Sequence, residues 1–125
     1  MKNKNFIVLA KIDHILFKAD ALENVQKNNN KAFETHDSCR FGQWYNSDGK
    51  SQFGHAPSFD KMIVPHAMVH NSVIDTFELL KNGSVNAFED EIKNNFINME
   101  KSSKVLFELM DNILAEEANY ASKQS

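Results

Sequence analysis

At 125 residues the chain is the size of one ordinary domain, which excludes a second full domain. With 42% hydrophobic and 25% charged residues it is no disordered chain, and 14 Lys+Arg against 17 Asp+Glu leave a net charge of -3, without the basic excess that binding a nucleic-acid backbone needs. No run reaches the roughly 18 apolar residues of a membrane span, and the stretch Phe6 to Ala10 is too short for a signal-peptide core. The single cysteine, Cys39, has no internal partner for a disulfide, so a cytoplasmic protein with a reduced thiol is expected.

Four Gly and two Pro are too few for a many-turned β-sandwich or barrel. The turn formers gather at Asn46 to Pro57 and at Asn82–Gly83, and the long segments between them predict a mostly helical chain. The first segment, about Asn5 to Lys27, is a helix candidate. Ile7, Ala10, His14, Phe17 and Ala21 step by three and four along one face, while Leu9, Ile12, Leu16 and Ala19 form a second apolar line beside it. Two lines fit either a wide contact inside a bundle or a core contact plus a subunit contact. Asn28, Asn29 and Asn30 end the segment.

The middle region, Lys31 to Pro57, is polar but carries Phe33, Phe41, Trp44, Tyr45 and Phe53, too much aromatic surface for a floppy linker. A short helix around Cys39 to Tyr45 followed by an ordered loop from Asn46 to Pro57 is expected. A further helix is predicted over about Val64 to Asn82, with Pro65 in its first turn and Asn82–Gly83 as its stop. Ser58 to Ile63 is expected to be a separate short turn, because Pro65 breaks a helix running through it. His66, His70, Val73, Phe77 and Leu80 share the inward face.

The last helix has Ser84 as its expected N-cap, Glu89, Asp90 and Glu91 in its early turns, and no breaker before about Tyr120. Val85, Ile92, Met99, Leu106 and Ile113 recur every seven residues, widened by Phe88, Phe96 and Met110. Such a helix is about 54 Å long, more than the diameter of a globule of this size, so part of it projects or packs along a second subunit.

His66 and His70 form His-x-x-x-His, whose spacing puts both imidazoles on one helix face within reach of a single metal ion. Taken alone the pair fits two hydrogen-bonded core histidines equally well. A lone His14 on an apolar face reads as a core residue, and a lone Cys39 as a small buried hydrophobe. Together they put three imidazoles and one thiol toward a bundle interior, a donor set that suits a closed tetrahedral zinc site. His36 and His55 read as surface residues or neighbours of the site, with His36, three residues before Cys39, the closer competitor for a metal.

The stretch Cys39-Arg40-Phe41-Gly42-Gln43-Trp44-Tyr45 resembles the Cys-x-Phe/Leu-Gly-x-Trp-Tyr/Phe signature of chemoreceptor zinc-binding (CZB) domains. The resemblance runs from about Phe6 to Leu114 within a single domain spanning 1–125, the last helix extending to about Tyr120. It implies an all-α four-helix bundle with a short extra helix carrying the Cys39 motif. By position it gives His14, Cys39, His66 and His70 the role of zinc ligands. Phe41, Gly42 and Trp44 are expected to support the site structurally, Gly42 by allowing a close backbone approach and the two aromatics by anchoring the short helix.

Enzyme readings lack their residues. Ala67 stands where a His-Glu-x-x-His protease needs glutamate, Ile63 and Ala67 stand where di-iron bundles need Glu-x-x-His, and four ligands leave zinc no open position for water. The resemblance implies instead a sensory module of bacterial signalling, of chemotaxis or cyclic-di-GMP type, that responds to zinc or to oxidants such as hypochlorous acid through Cys39. It also implies a homodimer. The chain has no room for a receptor signalling hairpin or a diguanylate cyclase domain, so the output partner lies in cis in a longer protein or in trans. A zinc buffer or storage protein, and a metal-free helical adaptor, are the alternatives.

Overall fold

The computed structural model describes residues 2–124. Helix α1 spans Lys2–Gln26, α2 Arg40–Tyr45, α3 Asp48–Phe53, α4 Ile63–Leu80 and α5 Glu89–Gln124, and no strand occurs among the described residues. The protein is thus an all-α helical bundle. Three long helices, α1, α4 and α5, form its frame, and the two short helices fill the side left open between α1 and the second half of α5.

Most helix ends fall where local chemistry puts them. α1 stops before Asn28, which takes the left-handed φ of 52° that asparagine tolerates. A 3-10 turn at Asp60–Met62 leads directly into α4, and Pro65 lies in the first turn, where its missing N–H leaves no bond unmade. Two expectations are corrected. The span Asn46 to Pro57 is not all loop, since Asp48–Phe53 is helical. This short helix exists because Phe53 is fully buried and the Trp44 ring lies flat over Gly49, where a Cβ would sit 2.8 Å from the indole. Nor does Ser84 cap the last helix. A 3-10 turn at Asn86–Phe88 intervenes, α5 begins at Glu89, and the Val85 N–H is satisfied by the Asn28 side chain, 3.0 Å away.

The interior consists of two apolar cores. One holds Ile7 and Ala10 of α1, the aromatics of α2 and α3, Phe59 and Met62, and Leu106, Met110 and Ile113 of α5. The other gathers Ala21 and Val25 of α1, Val69, Val73 and Phe77 of α4, and Ile92 and Met99 of α5. The sequence heptad thus runs through both. Between the cores lies a buried polar layer of His14, His66, His70 and Ser103. Each of the three long helices contributes to it, so burying this layer needs partners that apolar packing does not supply.

Candidate metal centre

Cys39 occupies the N-cap of α2, with φ -72° and ψ 163°, and its Sγ accepts the Gly42 N–H at 3.3 Å. The thiol also approaches the His36 carbonyl at 3.4 Å and lies 3.3 Å from His66 Nε2. Gly42 permits this turn. A Cβ there would stand 1.8 Å from the His36 carbonyl oxygen, so only glycine lets α2 fold back onto the backbone of residues 36–37.

His66 and His70 lie one turn apart on α4, 5% and 3% exposed, with ring centroids 5.0 Å apart. His70 Nδ1 lies 2.9 Å from the backbone carbonyl of Glu34. A carbonyl only accepts, so Nδ1 carries the proton and Nε2 keeps its lone pair. Such a second hydrogen bond is what fixes a metal-binding imidazole in place. Aromatic rings wall the pair: Phe17 against His70 at 4.4 Å and Phe41 edge-on to His66 at 4.8 Å.

Ligand-capable atoms of Cys39, His66 and His70 lie within 4.8 Å of one another. Tetrahedral zinc with bonds of about 2.0–2.3 Å separates its ligand atoms by roughly 3.5 Å, so a modest contraction closes the set. His14 is placed differently. It lines the same cavity of about 480 Å³ as the other three. Its Nε2, however, is engaged with Ser103 Oγ at 2.8 Å, and Lys18 Nζ donates to that oxygen at 3.0 Å. The structure therefore brings three of the four expected ligands together and holds the fourth in the adjoining wall through Ser103.

Protonation states agree with a metal-binding role. Burial, helped by the Lys18 charge and by His70, lowers the pKa of His14 to about 4. Burial, with the neighbouring histidines, takes His66 down to about 3, and it also lowers His70. All three are neutral at physiological pH, the state that binds metal. Burial pushes the Cys39 thiol up, against the opposing pull of the Gly42 N–H. Cys39 on its own is thus a thiol, and metal binding would release its proton.

The remaining expectations sort by position. Phe41 and Trp44 are buried in the core, Trp44 stacked on Phe6 at 4.6 Å. His36 sits edge-on to His66 at 5.6 Å, and its Nε2 faces Asp37. His55 is remote, against Glu117 and tilted against the Tyr120 ring at 3.8 Å. Ser103 was missed by sequence reasoning, although a serine four residues after Met99 and three before Leu106 occupies a core position, which is a signal for a buried polar partner.

A helical bundle that brings a thiol beside the imidazoles of its buried polar layer defines a class, the metal-binding helical domain. Its family follows: residues 14–77 match the chemoreceptor zinc-binding domain, and the chain belongs to that family. The match begins at His14 and takes in Cys39, His66 and His70. The family is regulatory and sensory rather than catalytic, so the protein is a zinc-binding signalling domain. No curated protein and no solved structure gave a significant match. No helix among the described residues is long and apolar enough to cross a membrane.

Proposed function

We propose that the domain is a cytoplasmic sensory module of bacterial signalling in which His14, Cys39, His66 and His70 hold one zinc ion and Cys39 receives the signal. The observation that carries this reading is the convergence of the Cys39, His66 and His70 donor atoms within 4.8 Å, beside a cavity wall that includes His14. Completing the set asks His14 to exchange Ser103 for the metal, a change of partner within one buried layer.

Bound zinc holds Cys39 as a thiolate, the nucleophilic and oxidisable form. Two inputs act on this chain. Zinc level sets occupancy, and an empty site unties α1, α2 and α4 at once. Hypochlorous acid is the second. In net terms the thiolate takes up the oxidant's oxygen to become a sulfenic acid, and chlorine leaves as chloride, a two-electron oxidation of sulfur. The oxidised sulfur is a poorer ligand and a poorer acceptor for the Gly42 N–H, so the N-terminus of α2 is released. Since α2 packs Phe41 and Trp44 into the first core, its movement reaches α1 and α5. In this reading the domain works as a homodimer and passes the change to a chemoreceptor-type or cyclase-type partner in cis or in trans.

The test is metal content of the purified protein by mass spectrometry, before and after a stoichiometric dose of hypochlorous acid. One zinc per chain, released on oxidation but retained in Cys39→Ser, is the expected result. Zinc that stays bound through oxidation removes the thiolate switch and favours zinc sensing or buffering. Absence of metal from the protein overturns the ligand assignment.

A further inference from the structure

The two apolar lines of α1 have different fates. Ile7, Ala10 and Ala21 of the first line are buried at 1%, 2% and 0% exposure. The second line, with Val8, Ile15 and Leu22 beside it, faces out: Val8 is 49% exposed, Leu9 48%, Ile12 47%, Ile15 51%, Leu16 60% and Leu22 48%. Val8, Ile12, Ile15, Ala19 and Leu22 alternate steps of four and three, the spacing of a helix–helix seam. The exposed apolar patch is on the order of 500 Å², at the upper end of what monomers expose and a large part of the ~800 Å² per partner in a stable interface.

Charge frames this face asymmetrically. Lys4, Lys11 and Lys18, seven residues apart, run along one edge, and Asp13 and Asp20, also seven apart, run along the other. Behind the basic edge stand the acids of α5, with Lys11 2.6 Å from Asp111 and Lys18 3.0 Å from Glu100. Behind the acidic edge stand bases, with Asp13 3.3 Å from Arg40 and Asp20 2.5 Å from Lys31. A second copy can cover the face in two symmetric ways. With the two-fold axis across α1, the helices run antiparallel, and basic edge meets basic edge while acidic meets acidic. With the axis along α1, the helices run parallel, and both rows of charge meet their opposites. Lys18 and Asp20 differ by only two residues, about 3 Å of rise, so the parallel pairing is also in register.

We infer that the outward face of α1 is the self-association surface of this domain, pairing with the α1 of a second copy in parallel. The inference rests on the homodimer reading above and specifies its surface and direction. It also ties assembly to the site, because Asp13, Leu16 and Asp20 line the cavity that holds Cys39, His66 and His70. A second copy seated here narrows the way in for metal or oxidant.

Sedimentation equilibrium of the full chain and of Ile12→Glu, with helix content followed by circular dichroism, tests the surface. Val8→Cys and Leu22→Cys, made singly with Cys39 kept in place, oxidised with diamide and mapped by peptide mass spectrometry, test the direction. These two positions are 14 residues, about 21 Å, apart along the helix, and a disulfide needs Cα atoms within about 7 Å. The expected results are a wild-type dimer, a helical Ile12→Glu monomer, and a bridge between the two copies of position 8 and of position 22. In an antiparallel pair at most one of these positions meets itself, so a bridge at only one, or only in a mixture of the two variants, overturns the parallel arrangement. A dimer indifferent to Ile12→Glu, with no bridge at either position, overturns the surface but leaves the homodimer reading intact. A wild-type monomer overturns both and leaves zinc binding untouched.

Discussion

Replacing Gly42 by alanine puts a methyl group 1.8 Å from the His36 carbonyl oxygen, 2.9 Å from its carbon and 3.1 Å from Asp37 Cα. All three are backbone atoms, so no side chain can swing away, and restoring van der Waals contact needs a retreat of about 1.5 Å. Cys39 lies inside the displaced segment, its sulfur positioned by the His36 carbonyl and the Gly42 N–H. Zinc–sulfur geometry tolerates only about 0.2 Å, so the shift takes the thiol out of the ligand set. Gly42→Ala is therefore expected to bind zinc about 100-fold more weakly, close to 2.7 kcal/mol, with the long helices still formed. The assay is competition against a chromogenic chelator, with circular dichroism reporting helix content. A folded Gly42→Ala protein with wild-type zinc affinity would refute the claim that α2 must touch the 36–37 backbone to place Cys39.

The remaining expectations concern the buried layer and the cores. In metal-free protein, His14 and His66 titrate near 4 and 3 when folded but near 6.5 when unfolded. Below pH 6.5 the unfolded chain binds more protons, so stability is full above that value and falls by about 1.4 kcal/mol per unit per histidine as pH drops toward 4. Urea unfolding of the metal-free form at several pH values checks this, and a flat profile would contradict burial of the imidazoles. Cys39→Ser is expected to weaken zinc while keeping the fold, and His66→Ala or His70→Ala to weaken it further, because the pair anchors the site to one helix. Equal losses in chelator competition would contradict that ranking. Tyr45 donates to the Phe59 carbonyl at 2.7 Å while stacking on the Phe59 ring. Tyr45→Phe leaves that carbonyl unpaired in the core and should cost about 1–2 kcal/mol in thermal or urea unfolding.

The sequence carried the long helices because their signals are local and repeated. The inward line of α1, the heptad of α5 and the Pro65 and Asn82–Gly83 boundaries of α4 each follow from neighbours within a few turns. What it could not carry is set by distant partners. α3 has no periodicity to read and forms because Trp44 covers Gly49 and Phe53 enters the core. The turn that leads into α5 is tied to Asn28, which lies 57 positions before Val85 and satisfies its N–H. At the site, residue types and order were legible, but the geometry was not. Nothing in the pattern around His14 tells that its Nε2 meets Ser103, or that the Glu34 carbonyl fixes the tautomer of His70.

The length of α5 gives the polar layer mechanical reach. The helix contributes to both cores, and Ser103, its member of the layer, sits 21 residues before the last described residue, Gln124, which is about 30 Å of helix. With the layer as fulcrum, a tilt of about 5° at Ser103 moves the far end by about 3 Å, more than the 1–2 Å helix shifts that switch many subunit interfaces. If zinc draws His14 away from Ser103, as proposed above, that change of one hydrogen bond would be delivered by a rigid arm at a distance where it can be read as a change of shape.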